Sequence, residues 1–129
     1  MKKKSVVKDT VSAVVILVVL LILTATNGML SSYALDRLTS YTEIIETGGD
    51  HEAAFEAVMM LEKEFYTWRF FFSITINHNN IGEAEEQLIE LKEAIKTKDP
   101  TVAAIAKSRL IGSFEELRRL SGYGIDSII

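Results

Sequence analysis

The chain opens with an apolar run. From Val11 to Ala25 no charged residue interrupts VSAVVILVVLLILTA, and Thr26, Asn27 and Gly28 lead on to Met29 and Leu30. Val11–Leu30 is 20 residues. At about 1.5 Å per residue, a helix of that length matches the ~30 Å hydrocarbon core of a bilayer. Beyond it, apolar residues recur every three or four positions, the period of helices with one buried face. Leu30, Ala34, Leu38, Tyr41 and Ile45 continue straight on from the apolar run. The pattern predicts a stop at Gly48-Gly49, because glycine accepts the left-handed conformation that ends helices. Asp50 is placed to cap a second helix, with a seam of Ala54, Val58, Leu61, Phe65, Trp68 and Phe72. A second stripe, Phe55, Met59, Tyr66 and Phe70, lies on another face of the same helix. A helix apolar on two faces touches two neighbours, or one neighbour and something outside the chain.

A third helix is predicted to open at Asn80, where NIGE resembles a capping box closed by Glu83. Its seam is Ile81, Ala84, Leu88, Leu91 and Ile95. A fourth begins at Asp99-Pro100, cap then first-turn proline. Val102, Ala103, Ala106, Leu110, Phe114 and Leu117 form its apolar side, and SGYG ends it near Ser121. The expected class is therefore all-α. One N-terminal transmembrane helix leads into a small antiparallel bundle, or paired helical hairpins, of about four helices. The expected organisation is a cytoplasmic basic tail (1–10), a membrane anchor (11–30) and an exported helical domain (31–129). TGGDHEAAFEAVMML, from Thr47, echoes TKDPTVAAIAKSRLI, from Thr97, at an offset of 50. Duplication and convergent helix-start chemistry both account for that echo.

Charge sets the orientation. Residues 1–29 carry a net +3, from Lys2, Lys3, Lys4 and Lys8 against Asp9, whereas residues 30–129 carry a net −7. Positive residues before the apolar run place the N-terminus in the cytoplasm and the domain outside it. A cleaved signal peptide has the same charged start and apolar core. Its small-residue sites here, Thr26-Asn27-Gly28 and Ser32-Tyr33-Ala34, are poor, which favours an uncleaved signal anchor. An acidic domain does not suit nucleic acid. The chain has no cysteine, which excludes disulfides, thiolate metal sites and a lipidated-cysteine anchor.

Several of these residues resemble a bacterial single-pass membrane family, domain of unknown function 4363. The carriers are Gly49, Asp50, Ala54, Trp68, Ile76, His78, Ile81, Glu83, Leu88 and Leu91, with the closing LSGYGIDSII. The resemblance implies a small exported helical domain on one anchor, mostly in Gram-positive-type bacteria, and implies no activity. In one respect the chain departs from the family, which tends to place an acidic residue just after the histidine. Here Asn79 and Asn80 follow His78.

No catalytic motif and no metal-ligand spacing is visible, so no enzyme activity, cofactor or metal is expected. His51 and His78 sit roughly 40 Å apart if one helix separates them, too far to share one ion. Glu83, Glu86, Glu90 and Glu93 read as a solvated ridge. Six of the eleven aromatic residues lie between Phe65 and Phe72. The expected role is a non-enzymatic accessory or interaction protein that contacts another membrane or envelope protein. Its candidate contact residues are Tyr66, Trp68, Phe70, Phe71, His78 and Asn80. The alternative is an extracytoplasmic sensor or ligand-binding domain.

Overall fold

The computed structural model describes residues 2–126, with side chains from Val6 to Ser121 except Thr75. It contains four helices and, among the described residues, no strand: α1 (Lys2–Glu43), α2 (His51–Thr75), α3 (His78–Lys96) and α4 (Pro100–Asp126). Each helix packs against the next, and α4 closes against α1, so the helices run antiparallel around a square.

α1 is 42 residues long without a break. It is the one helix among the described residues long and apolar enough to cross a membrane. Its side chains from Val6 to Leu23 are exposed, and Thr24 and Ala25 become half-buried. Asn27, Ser31, Ala34, Leu35, Leu38 and Thr42 are buried in the bundle. The apolar run and the first bundle helix are thus one rod, with no linker between them. Thr10 and Thr24 donate their hydroxyls to the carbonyls of Val6 and Leu20, both at 2.8 Å. Those bonds satisfy both hydroxyls within the helix itself.

α1 ends at Glu43, earlier than the glycine pair predicted. The reason lies in α4. Lys107 Nζ donates to the carbonyl oxygens of Glu43 (2.9 Å) and Ile45 (2.7 Å). A cation on terminal carbonyls satisfies the helix end and its partial negative charge. The chain leaves the helix there, and Ile45 tucks into the core, 1% exposed.

The α2 seam is built as expected. Asp50 accepts from the Glu52 amide at 3.1 Å as N-cap. Ala54, Val58, Leu61, Phe65 and Phe72 are buried, and Trp68 is half-buried against them. All five α3 seam residues are buried. On α4, Asp99 caps through the Val102 amide at 3.1 Å. Ala103, Ala106, Leu110, Phe114 and Leu117 are buried, but Val102 is 47% exposed, because the helix turns it away from α1 and α3.

The caps and buried positions of the two helix starts align in a different register from the echo. The two caps, Asp50 and Asp99, are offset by 49, not 50. In that register Ala54, Ala57, Leu61 and Phe65 coincide with Ala103, Ala106, Leu110 and Phe114. Seven of these eight are buried and Ala57 is half-buried. In the offset-50 pairing, buried Ala54 would match exposed Ala104. Phe65 and Phe114 meet between the diagonal helices with ring centroids 6.1 Å apart. α2 and α4 therefore present one apolar pattern to a shared centre.

Lys107→Met keeps the stem and removes the donor. It should destabilise the bundle by about 1–3 kcal/mol through the carbonyls left unpaired, read by denaturant unfolding of the detergent-solubilised protein.

Candidate functional site

The aromatic segment of α2 divides by face. Phe65 and Phe72 are fully buried, with ring centroids 6.3 Å apart. Of the residues expected to make contacts, Tyr66 and Phe70 are exposed, at 45% and 70%. Trp68 and Phe71 are half-buried and touch each other, with centroids 5.4 Å apart. Phe70 meets the edge of Phe71 at 5.8 Å. The outward set extends beyond the sequence reading, because Met60 (60%) and Ile74 (57%) share the exposed side with Met59. Met59 and Tyr66 border a shallow hollow of about 570 Å³, lined also by Phe55, Glu56, Met60, Glu62 and Lys63. α2 packs against both α1 and α3, and Met59, Tyr66 and Phe70 of this stripe stay exposed outside those two contacts.

Charged groups hold this face in place at its border with α3. Arg69 pairs with Glu85, and Lys92 with Glu62 at 3.1 Å. The Tyr66 hydroxyl donates to Glu85 Oε1 at 3.2 Å. Partial loss of hydration and then this bond to a carboxylate hold the phenol above its ordinary value of 10.0. Its folded-state contribution is therefore complete below that value and is lost as pH rises through the raised one.

His78 and Asn80 fall differently from expectation. The cap of α3 is Asn77, whose Oδ1 accepts from the Asn79 amide at 2.8 Å. Asn80 is not the cap. It lies in the first turn of α3 and lines an open groove against α4, with Glu83, Gln87, Arg109, Ser113 and Glu116. The asparagine three residues earlier wins because Ile76 is extended and buried, which ends α2 and fixes where α3 begins. His78 is the exposed first residue of α3. The six expected contact residues thus occupy one end of the bundle without forming one surface. Tyr66 and Phe70 face outward from α2, Trp68 and Phe71 pack inward, His78 sits on the tip, and Asn80 faces α4.

His51 stands at the opposite end, beside a cavity of about 250 Å³ between the α1–α2 and α3–α4 turns. Among the described residues no three histidine, aspartate or glutamate side chains converge as metal ligands. On the outer face of α1, Arg37 lies between Tyr33 and Tyr41, 5.8 and 5.7 Å from their ring centres. This stack at i, i+4 and i+8 was legible as helical spacing but carried no motif.

Comparison with protein-family models, with curated proteins and with solved structures yields no match.

Phe70→Ala should change bundle stability by no more than about 0.5 kcal/mol, whereas Phe65→Ala or Phe72→Ala should cost about 3–5 kcal/mol, measured by the same denaturant titration. Subtracting the ultraviolet alkaline titration of Tyr66→Phe from that of the parent should leave a phenol ionising above about pH 10.

Proposed function

We propose that this chain is a non-enzymatic, single-pass membrane-anchored accessory protein whose extracytoplasmic bundle engages another membrane or envelope protein. The observation that carries the reading is the outward face of α2. Met59, Met60 and Tyr66 are exposed beside the hollow they line, and among the described residues no helix buries them. Methionines adapt to a partner surface, and a tyrosine adds apolar area with one polar tip. Exposed apolar residues grouped along one face mark interaction surfaces.

The anchor reading draws on the length and exposure of α1, and its orientation on the four lysines before the apolar run. Both candidate cleavage triplets lie inside the unbroken α1, where Gly28 and Ala34 are buried, and this supports retention of the anchor. The resemblance to domain of unknown function 4363 points the same way. A second reading, a ligand-binding domain, draws on the polar α3–α4 groove, where Gln87 Oε1 is buried without a hydrogen-bond partner.

A photo-crosslinking residue at Tyr66 should yield a discrete protein adduct in native membranes, and adding Met60→Glu should suppress it while helicity by circular dichroism is unchanged. A yield indifferent to Met60→Glu would remove this face as the partner site.

A further inference from the structure

The span and the bundle do not add up to a bilayer unless they overlap. Between Asp9, the last charge before the apolar run, and Thr24, where the bundle begins to cover α1, lie 14 residues. They reach about 21 Å, roughly 9 Å short of the ~30 Å hydrocarbon thickness. The missing length corresponds to the next six residues or so of α1, Thr24 to Met29. The bundle stands beside that stretch. Asn27 Nδ2 donates to the Phe71 carbonyl at 3.0 Å, which pins the end of α2 level with α1 just past its apolar run. In this antiparallel register Phe70 to Ile74 flank the missing length.

The residues at that level suit lipid. Met29 (69%) and Leu30 (40%) on α1, and Phe70 (70%) and Ile74 (57%) on α2, are exposed. From Phe70 to Gly82, thirteen residues including the whole α2–α3 turn, no residue carries a formal charge. The opposite turns are rich in charge, with Glu43, Glu46, Asp50 and Glu52 at one and Lys96, Lys98 and Asp99 at the other. Charge reappears on α3 at the exposed Glu83, one residue past this run, and on α2 at Arg69, which pairs with Glu85. A charge-free tip with outward aromatic and aliphatic side chains matches the membrane interface, where aromatic rings concentrate and ionised groups are costly.

We infer that the α2–α3 end of the bundle is seated in the outer interface of the bilayer, with Met29, Leu30, Phe70 and Ile74 in contact with lipid. This rests on the anchor reading. It divides the outer face of α2 into a lipid-facing foot and a protein-facing upper part at Met59, Met60 and Tyr66. The domain then stands on the membrane in a set orientation instead of swinging from a tether.

The cysteine-free chain allows the test in full-length protein reconstituted in phosphatidylcholine/phosphatidylglycerol vesicles. Spin labels go on single cysteines at Met29, Phe70 and Ile74, with Leu17 as the span control and Met60 as the control higher on α2. Collision with oxygen relative to a water-soluble nickel chelate should be several-fold greater at Met29, Phe70 and Ile74 than at Met60, and greatest at Leu17. Emission of the wild-type protein, whose one tryptophan is Trp68, should also be lower in vesicles of acyl-brominated lipid than in unbrominated ones. Ratios at 70 and 74 equal to that at 60, with Leu17 still lipid-like, would overturn the seating and leave the anchor standing. A water-like Leu17 would overturn both. Exclusion of both reagents at 70 and 74 would mean protein cover, and would also overturn the seating.

Discussion

α1 is a single unbroken helix with an exposed apolar part and a packed part. From Val11 to Leu23 its exposed side chains are almost all apolar, and from Asn27 onward it buries one stripe against α2 and α4. Because no residue between them breaks the helix, the direction of the apolar half dictates where the bundle stands. Asn27 enforces the junction by spending its amide on the Phe71 carbonyl near the last turn of α2. A buried polar side chain bonded to a neighbouring backbone fixes register in a way that apolar packing alone does not. Everything at that end of the molecule, including the aromatic segment and the α2–α3 turn, inherits its height from this contact.

At the far end the same problem has an ionic solution. Lys107 closes α1 by binding its last carbonyl, that of Glu43, and the carbonyl of Ile45 just beyond it, while Asp36 and Arg118 pair at 2.8 Å further along the α1–α4 boundary. The centre is apolar and nearly symmetric. α2 and α4 carry the same D-A-A-L-F spacing from their caps inward, and Phe65 meets Phe114 where the diagonals approach. The two hairpins differ on their outer faces. α4 turns arginines and glutamates outward, and α2 turns methionines, Tyr66 and Phe70 outward. α4 also exposes Val102 and Ile105, and the proposed role rests on the longer apolar stripe of α2.

The function proposed here and the seating of the α2–α3 end share a physical logic. A bundle welded to its anchor and set into the interface offers the upper part of α2 at a fixed height and angle. A protein partner in the same membrane meets a surface already oriented, which lowers the ordering cost of association. An uncharged tip beside a short span also tolerates the local thickness of the bilayer without exposing ionised groups.

Periodicity alone determined a good deal. The apolar run, the four helical seams, the caps at Asp50 and Asp99 and the burial of Phe65, Phe72 and Phe114 were all legible, because helical spacing and cap chemistry are local. The outward stripe of α2 was legible too, as a second apolar face, though not that α1 and α3 would leave it exposed. What spacing does not carry is decided between helices. The end of α1 moved to Glu43 because a lysine 64 residues away reaches its carbonyls. The cap of α3 moved to Asn77 because Ile76 is drawn into the core. The two helix starts match in burial at an offset of 49 and not of 50, because packing follows the caps. The apolar run does not end where the bundle starts, since both occupy the same turns of α1. Sequence sets what each helix can bury, and only packing sets which turns of α1 stay exposed.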